Sequence, residues 1–500
     1  MANDSAVKTS SSYRQIMKGT SIFGGVQVFN IIITIIRSKV IAVLLGPAGM
    51  GISGLLTSTT TFIGSLTNFG LRVSSVKDIA AAHNSNDELK VTKTVMVVRR
   101  LVWLTGILGT LVTIIFAGWL SELSFGNREY TYSFIWLSIT LLFNQLTSGQ
   151  SVLLQGMRKL KYLATANVIG AASALLVSIP LYYYFRVNGI VPALIITALF
   201  TLLANIYFAR KVKISKIDIS WNETKVRGRG MMVMGFVLSL SGIMTMGAAY
   251  IVRIFISNKG GLDDVGLFNA GFAIINTYVG LIFTAMSTDY YPRLSGIAED
   301  NQKTTLLVNQ QAEVAILILA PILTIFLIFI DIAVVLLYSK QFIATTEMIY
   351  WAALGIFFKS VSWAISYVFL AKSASKVFFW NELISIVCMT SLNLLGYYYW
   401  ALAGLGFSFM LSYLIYLIQV YLVARKKYSF TLNKGFLKIF AFQLFVAICC
   451  FIISKSVIKP WSYMLGVLCI IISVWFSFKE LDKRLRLRQL LNSYKNKLWK

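Results

Sequence analysis

The chain has 500 residues, of which 57% are hydrophobic and only 13% are charged. Soluble globular proteins contain about 25% charged residues, so this composition excludes a soluble enzyme or binding domain. Apolar stretches of about 20 residues recur along the whole sequence, and each is long enough to cross a hydrocarbon core of about 30 Å. The sequence therefore predicts an all-α integral membrane protein.

The formal net charge of +27 would also suit a nucleic-acid binder. The basic residues, however, lie in short loops between apolar stretches, which is the distribution that the positive-inside rule produces. This placement argues against nucleic acid as a partner and makes membrane lipids the expected surroundings of the chain.

Fourteen transmembrane spans are predicted, in groups of six, six and two. They lie near residues 20–45, 50–71, 101–120, 131–154, 163–184, 190–209, 231–256, 266–287, 306–337, 346–371, 378–399, 404–424, 436–454 and 461–478. The corresponding divisions are an N-terminus (1–19), an N-lobe (20–209), a basic linker (210–230), a C-lobe (231–424), two further spans (425–478) and a basic tail (479–500).

The loops after even-numbered spans contain most of the cations. Arg72–Arg100 contains six, Arg158–Lys161 three and Arg210–Arg229 seven, whereas loops after odd-numbered spans contain one or two at most. The positive-inside rule then places both termini in the cytoplasm. The first apolar span is too long for a signal peptide, so it is expected to remain as a membrane helix. The basic tail is expected to bind anionic lipids at the cytoplasmic face.

Two glycine-rich turns indicate that the two six-span lobes are copies of each other. The turns are Leu45–Gly51 and Gly260–Gly266, and aligning Gly51 with Gly266 brings Arg253 within one residue of Lys39. Six spans return the chain to its starting side, so the lobes would be related by an axis along the membrane normal. A chance match between two glycine-rich turns is the alternative.

Polar side chains inside spans are costly, and their placement therefore points to function. In span one, four of them fall three or four residues apart and share one helix face. Five spans contain such stripes: Gln27, Asn30, Thr34 and Arg37; Thr57, Thr61, Ser65, Asn68 and Arg72; Asn144, Ser148, Ser151 and Gln155; Asn269 and Asn276; and Glu382, Ser385, Met389 and Asn393. Helix–helix adhesion would explain one stripe, but five stripes from both halves favour a shared water-filled cavity.

Four cations lie well inside predicted spans, namely Arg37, Lys39, Arg253 and Lys359. Each would cost at least ~2.5 kcal/mol if it faced lipid at the bilayer centre. Arg37 and Lys39 are two residues apart and lie on nearly opposite faces, so Lys39 is expected to extend to the outer interface. Asp331 is the clearest intramembrane acid. An excess of cations over acids predicts an anionic solute, and Arg is suited to bidentate contact with phosphate.

No motif for catalysis, nucleotide hydrolysis or a cofactor is found. The chain contains no P-loop and no Ser-His-Asp set. His83 is the one histidine of the sequence, and its four cysteines have no ligand-like spacing, so no metal site is expected. The chain is therefore not expected to be an enzyme, and the energy for transport would come from an ion gradient or from the substrate gradient.

Several short motifs resemble those of a known transporter family. They are Leu45-Gly46-Pro47-Ala48-Gly49-Met50-Gly51, Val76-Lys77-Asp78-Ile79-Ala80, Leu154-Gln155-Gly156, Tyr291-Pro292-Arg293-Leu294-Ser295, and Asn393 with Gly404-Leu405-Gly406. The chain resembles the polysaccharide-transport family of the multidrug/oligosaccharidyl-lipid/polysaccharide (MOP) exporter superfamily, specifically O-antigen repeat-unit flippases of the Wzx type. The two extra C-terminal spans depart from the twelve usual in that family, and fourteen spans are typical of the related lipid II flippase.

The resemblance implies a MATE-like bundle whose two lobes face each other across a central cationic cavity. It implies that the chain moves an undecaprenyl-pyrophosphate-linked oligosaccharide across the bacterial cytoplasmic (inner) membrane by alternating access. Other polysaccharide assembly proteins would be further partners. The substrate-binding cations would be Arg37, Arg253 and Lys359, with Lys39 as a further candidate.

The polar residues expected to line this cavity are Gln27, Asn30, Asn68, Asn144, Asn269, Asn276 and Glu382. Asp331 is a candidate for coupling to a proton or sodium gradient. The alternative is that this acid, near the outer end of its span, only caps a helix or contacts water.

Three other functions are compatible with parts of the sequence. A multidrug exporter of the same superfamily would be expected to have more acids than bases in its cavity, and a lipid II-type flippase stays open because of the fourteen predicted spans. A membrane glycosyltransferase or O-antigen ligase would be expected to have a sizeable outer loop with catalytic side chains, whereas the outer loops here are short. The charge balance and the loop lengths favour the flippase.

Overall fold

The structure, a computed structural model, is all-helical. It describes residues 2–485 except 86 and 216, with side chains from residue 29 onward except those of 277, 278, 281, 288 and 485. Its α-helices are α1 (Ala2–Thr67), α2 (Leu71–Asn84), α3 (Glu88–Ile115), α4 (Ala117–Phe125), α5 (Thr131–Gly156), α6 (Leu160–Phe185), α7 (Ile190–Arg210), α8 (Trp221–Ala273), α9 (Val279–Gly296), α10 (Asn301–Leu337), α11 (Thr345–Ala371), α12 (Ser375–Tyr428), α13 (Lys434–Ser456) and α14 (Trp461–Leu485). Short 3₁₀ helices span Arg186–Gly189 and Lys340–Phe342, and a π-helix spans Ile274–Tyr278.

The predicted all-α membrane class is confirmed. Within the described part of the chain, nine helical stretches are long and apolar enough to cross a membrane. Each predicted span falls on helix over most of its length, but several neighbouring spans lie in one continuous helical stretch. The chain is therefore a multi-pass membrane protein, while the number of fourteen spans and the orientation of the termini stay predictions. Residues 486–500 of the predicted basic tail lie outside the described residues.

The third span begins earlier than the sequence predicts. Helix α3 begins at Glu88 rather than near residue 101, because the Asp87 carboxylate accepts a hydrogen bond of 3.0 Å from the backbone N–H of Lys90 and so caps the helix. Hydrophobicity marks only the part of a helix that lies in lipid, and a helix with a good cap extends beyond it. Arg99 and Arg100 consequently lie within a helix rather than in a loop.

Two continuous helices are broken at glycines that the predicted repeat places at equivalent positions. Gly46 in α1 has φ 67° and ψ −169°, and Gly261 in α8 has φ 84° and ψ −176°. Both glycines lie five residues before the aligned Gly51 and Gly266. This combination of φ and ψ is essentially restricted to glycine. The same rare backbone conformation at matched positions favours an internal duplication over a chance match.

The contacts between the two turns are reciprocal. A Cβ atom added at Gly51 would lie 2.0 Å from the carbonyl oxygen of Leu262, and one added at Gly266 would lie 1.9 Å from that of Pro47. Pro47 and Leu262 are themselves equivalent in the repeat alignment, four residues before the two glycines. Paired contacts of this kind are the signature of a local two-fold relation. The backbones can meet this closely only because neither glycine has a side chain.

The chain divides into two compact units, Met1–Gly266 and Leu267–Lys500. The first unit therefore contains most of α8 in addition to α1–α7. Its core includes a tight contact between two of the family-like motifs, since a Cβ atom at Gly156 of α5 would lie 2.6 Å from Cγ2 of Ile79 in α2. The division into lobes at residues 210–230 stays a prediction.

The second unit contains α9–α14 and is held by close backbone packing and buried polar bonds. A Cβ atom at Gly404 would lie 1.8 Å from the carbonyl oxygen of Gly396, and one at Gly406 would lie 2.1 Å from that of Met348. Helices α13 and α14 are joined by Gln443, whose Nε2 donates to Ser477 Oγ over 2.7 Å and whose Oε1 accepts from Ser473 Oγ over 2.8 Å. Small residues and buried hydrogen bonds are the usual means of packing helices in lipid.

We predict that Gly266→Ala will destabilise the folded protein. The added methyl group would overlap the carbonyl of Pro47, and overpacking of this kind typically costs about 1–3 kcal/mol. The melting temperature of the detergent-purified protein should fall by several degrees, and Gly51→Ala should have a similar effect. The control is Gly242→Ala in the same helix, where a Cβ atom would meet nothing within 4 Å. Equal melting temperatures for the 266 and 242 variants would contradict the reciprocal contact.

Candidate functional site

The first unit contains a polar cavity of about 460 Å³. Its walls come from α1, the start of α2, α5, α7 and α8. The lining consists of Arg37, Thr57, Thr60, Thr61, Gly64, Ser65, Asn68, Arg72, Leu137, Thr140, Leu141, Asn144, Gln145, Ser148, Leu194, Thr197, Ala198, Thr201 and Met246. At about 30 Å³ for each water in the liquid, its volume corresponds to about 15 waters.

The polar stripe predicted in span two lines this cavity along its full length. All five members, from Thr57 to Arg72, belong to the lining. The helix ends at Thr67, and a left-handed turn at Phe69 and Gly70 follows. There the Asn68 side chain accepts a 2.7 Å hydrogen bond from the backbone N–H of Gly70. This local turn carries Arg72 to the same cavity.

The stripe in span four is divided between two environments. Asn144 and Ser148 line the cavity of the first unit, and Gln145 joins them while its Nε2 donates to Thr105 Oγ1 over 2.9 Å. Ser151 instead donates to Asn205 Oδ1 over 3.0 Å, so it joins helices α5 and α7. Helix adhesion thus explains part of this stripe, and the cavity explains the rest.

The charge in the cavity is wholly positive. Arg37 and Arg72 are its ionisable lining residues, and the lining contains no carboxylate. Neither arginine forms an ion pair with a described residue, and the buried Nε of Arg37 has no hydrogen-bond partner in the described part of the chain. An arginine without a partner in a membrane-embedded site provides strong unused hydrogen-bond donors. The cavity therefore has cationic hydrogen-bond donors that no described side chain neutralises.

Many cavity hydroxyls are oriented by their own helices. Thr60, Ser65, Thr140 and Thr201 each donate to a backbone carbonyl three or four residues earlier. These hydroxyl oxygens keep lone pairs that can accept hydrogen bonds. The buried Oγ1 of Thr197 has no partner among the described residues. Together with Asn144 and Gln145, these groups offer donors and acceptors of the kind that sugar hydroxyls require.

Asn30, Thr34 and Lys39 of span one lie outside the cavity lining. Asn30 and Thr34 are linked by a 2.7 Å hydrogen bond from Thr34 Oγ1 to the carbonyl of Asn30. Lys39 is half-buried and lies two residues from Arg37, on nearly the opposite side of the helix. Gln27 lies outside the residues whose side chains are described. Of the members of this stripe whose side chains are described, Arg37 is thus the one that lines the cavity.

Arg253 lies on the helix that closes one side of the cavity but not in the lining itself. It is seven residues, or two turns, after the lining residue Met246 and shares its helix face. Its Nη1 donates to the carbonyl of Ala249 over 3.0 Å. The neighbouring Tyr250 hydroxyl is 2.8 Å from Ser124 Oγ. This buried contact joins α8 to α4 within the first unit.

In the second unit, Lys359 is held by an amide and aromatic rings. Its Nζ donates to Asn276 Oδ1 over 3.3 Å and lies 5.2–5.8 Å from the ring centroids of Tyr413, Phe409 and Phe283. Asn276 belongs to the π-helix, a distortion that is frequent at functional sites. Lys359 forms no ion pair with a described residue, so its charge is stabilised by cation–π contacts and an amide dipole. Asn269, the other candidate of span eight, is half-buried.

The candidate acids of the second unit have different partners. Asp331 forms an ion pair with Lys459, and this hydrogen bond raises the pKa of Lys459. Glu382 instead accepts a 2.7 Å hydrogen bond from the Tyr416 hydroxyl, and it forms no ion pair with a described residue. Asp331 is therefore neutralised by a cation, whereas Glu382 faces a neutral donor.

Comparisons with known proteins agree with this architecture. Residues 40–347 match the profile of a family described as polysaccharide biosynthesis protein. A protein of Escherichia coli (strain K12) named lipid III flippase is 23% identical over 391 residues, which is 76% of this chain and 90% of that protein.

Two solved structures show the same fold. The lipid II flippase MurJ in an inward closed conformation has a TM-score of 0.68 at 13% identity and covers 94% of this chain and 99% of its own. An inward-facing multidrug-resistance MATE transporter of the MOP superfamily has a TM-score of 0.64 at 13% identity, and the match covers 82% of this chain and 96% of its own.

These likenesses confirm the MATE- and MOP-like fold that the motifs implied. The family match extends over more than half of the chain and includes all of α2, α5, α7 and α8 and the part of α1 from residue 40 onward. Arg37 lies just before the matched segment. The chain therefore belongs to the polysaccharide biosynthesis protein family.

Proposed function

We propose that this protein is a flippase that moves a lipid-linked oligosaccharide across the cytoplasmic membrane, with the diphosphate of the cargo bound in the cavity of the first unit. The observation that carries the proposal is the acid-free, arginine-containing lining of that cavity. A polyprenyl diphosphate supplies the anionic oxygens that Arg37 lacks as partners. Its isoprenoid chain would stay in lipid, and its sugars would meet the hydroxyl and amide groups of the lining.

The strength of the expected contact fits a transporter. Hydrogen bonds to charged groups contribute about 1.5–3 kcal/mol each. A few such bonds give a bound cargo that can still dissociate, which transport across the membrane requires. In our proposal Arg253 and Lys359 contact the cargo in other stages of the alternating-access cycle, since each is a basic residue on a membrane helix.

The relatives support a lipid-linked oligosaccharide as cargo but point to different members of that class. The E. coli relative is named for lipid III and the structural relative for lipid II. Within the proposal, the cargo is an undecaprenyl-pyrophosphate-linked O-antigen or polysaccharide repeat unit, and a lipid II-type cargo fits the cavity equally well. Direct contact with other polysaccharide assembly proteins belongs to the same proposal.

A multidrug exporter is the second candidate because MATE transporters have the same fold. Cationic drugs would require acids in the cavity, and the lining of this one contains none. A membrane glycosyltransferase or O-antigen ligase is a candidate from another class. If the protein were such an enzyme, deletion of its gene would still allow the cargo to reach the outer face. Only the later transfer of sugars would fail.

We also propose that a proton or sodium gradient drives the transport. Asp331 is less suited to this role than the sequence suggested, because its ion pair with Lys459 favours a structural function. The hydrogen bond from Tyr416 to Glu382 depends on the charge of Glu382, because an ionised carboxylate accepts it more strongly than a neutral carboxyl group does. Protonation of Glu382 would therefore weaken its contact with Tyr416. We therefore assign the coupling role to Glu382.

Loss of the Arg37 charge should disable the protein. In a host that lacks the native gene, Arg37→Gln should leave full-length lipid-linked oligosaccharide on the cytoplasmic face, and Arg37→Lys should restore part of the transport. Loss of one charge-assisted contact of about 1.5–3 kcal/mol predicts diphosphate-lipid binding that is roughly 10- to 150-fold weaker. The control is Arg128→Gln, which removes an exposed arginine of the same unit. Normal delivery of the cargo by Arg37→Gln would overturn the proposal.

Deletion of the gene separates the flippase from a membrane glycosyltransferase. If the deletion blocked only the later transfer of sugars, the glycosyltransferase would replace the flippase as the proposed function.

Asn144→Asp separates an oligosaccharide flippase from a multidrug exporter. The substitution adds a carboxylate to the cavity with almost no change in shape. Diphosphate-lipid binding and transport should fall sharply because like charges repel. A multidrug exporter would instead keep or gain affinity for cationic dyes. If the Asn144→Asp variant exported cationic dyes and still transported the cargo at the wild-type rate, the assignment of an anionic cargo would be refuted.

Glu382→Gln should abolish the stimulation of transport by an imposed ion gradient, whereas Asp331→Asn should retain it. The measurement is cargo translocation in proteoliposomes, with and without a pH or sodium gradient, for each variant. Tyr416→Phe should reduce the stimulation without removing the acid. The opposite pattern, with stimulation lost only in Asp331→Asn, would return the coupling role to Asp331.

A further inference from the structure

A second arginine site lies in the first unit, between the middle of α3 and the start of α8. It is a pocket of about 330 Å³ whose lining includes Arg99, Arg100, Trp103, Asp218 and Trp221. None of these residues lines the cavity of Arg37. We infer that this pocket binds the headgroup of a monoanionic phospholipid whose phosphodiester carries a hydroxylated substituent, as in phosphatidylglycerol.

The first observation is that Arg100 is held in place without being neutralised. Its Nη1 donates to Thr224 Oγ1 over 3.0 Å and to the carbonyl of Ser220 over 3.4 Å, and its guanidinium carbon lies 5.0 Å from the ring centroid of Trp221. These partners are a hydroxyl, a carbonyl and an indole, and none of them has a negative charge. The guanidinium has five N–H donors in a planar fork, so donors remain for an anion.

The second observation concerns the adjacent Arg99. Its side chain is exposed and forms neither a hydrogen bond nor an ion pair with a described residue. Two neighbouring arginines, one fixed and one adaptable, can share a phosphodiester through separate oxygens. The sequence places them immediately before residue 101, where the apolar part of α3 begins.

The third observation is the aromatic and apolar rim. Trp103 is 51% exposed, Trp221 is 56% exposed and Leu104, which also lines the pocket, is 48% exposed. Tryptophan is enriched at the membrane interface, where its ring lies at the level of the headgroups. A pocket lined by arginines and by exposed indole and leucine side chains therefore fits a ligand that has an anionic head and acyl chains. The positive-inside rule assigns it to the cytoplasmic leaflet.

Asp218 decides which headgroup fits. It is the acid of the lining, and it forms no ion pair with either arginine. The two arginines and this carboxylate leave a net charge of one positive unit, which matches a single phosphodiester rather than a diphosphate. The carboxylate can accept a hydrogen bond from a headgroup hydroxyl. The cavity of Arg37, which has no acid, would select a more highly charged ligand.

The test measures lipid binding by the full-length detergent-purified protein, with native mass spectrometry and defined lipids. The wild type should hold phosphatidylglycerol at least ten times more tightly than phosphatidylcholine. The double variant Arg99→Gln, Arg100→Gln should lose this preference. The matched control is Lys159→Gln, Lys161→Gln, which removes two exposed cations at the start of α6 and should retain it. Arg99→Gln alone keeps the bonds of Arg100 to α8, so it tests the site even if the double variant fails to fold.

A separate measurement tests which headgroup the pocket binds. Phosphatidylmethanol has the same charge as phosphatidylglycerol but no hydroxyl, so Asp218→Asn should reduce the preference for phosphatidylglycerol over phosphatidylmethanol. Equal binding of phosphatidylglycerol by wild type and both arginine variants would overturn the site. Tighter binding of phosphatidylethanolamine than phosphatidylglycerol would overturn the hydroxylated headgroup. None of these outcomes depends on the proposed transport, because binding is measured without any cargo.

Discussion

Placing an arginine or lysine where the surrounding solvent is hydrocarbon carries a large free-energy penalty, and the two units reduce it in different ways. In the first unit, Arg37 faces a polar cavity whose lining contains hydroxyls and amides but no acid. In the second, the Lys359 ammonium is held by Asn276 and three aromatic rings. Both solutions avoid a carboxylate partner, which would have been the simplest way to remove the charge. A protein that keeps these cations unneutralised can use them on an anionic ligand, and this is the physical basis of the proposed function.

The same solvent explains why the motifs that carry the family resemblance are mostly structural. Lipid gives helices no hydrophobic reason to associate, so association depends on close packing. Gly51 and Gly266 let two turns meet backbone to backbone, Gly156 admits Ile79, and Gly404 lies against Gly396. These motifs therefore indicate the fold. The groups that distinguish an anionic from a cationic cargo lie one or more turns away, in polar stripes that have no fixed sequence motif. The motifs therefore identify the family more readily than the substrate.

Periodicity predicted the membrane helices and the helix face on which the stripe from Thr57 to Arg72 lies, because a period of 3.6 residues fixes which side chains share a face. It could not predict what that face contacts. Ser151 shares a face with Asn144 and Ser148 but bonds to Asn205, 54 positions away. Asp331 gave the clearest signal of an intramembrane acid, yet its partner Lys459 lies 128 positions further along the chain. The π-helix that places Asn276 against Lys359 has no sequence signature of its own. Partner choice thus depends on tertiary packing.

A flippase for a diphosphate lipid works among a great excess of phospholipids with similar phosphate chemistry, so its cargo site must discriminate by charge. A phosphodiester has one negative charge, whereas a diphosphate has at least two. The cavity of Arg37 and Arg72 has no acid, and it therefore favours the more highly charged ligand by adding attraction for each further anionic oxygen. The pocket of Arg99 and Arg100 contains Asp218, which weakens that preference by repelling the additional anionic oxygens. If the two sites have the proposed functions, Asp218 suits the interfacial pocket to bulk phospholipid, and the lack of an acid suits the cavity to the diphosphate cargo.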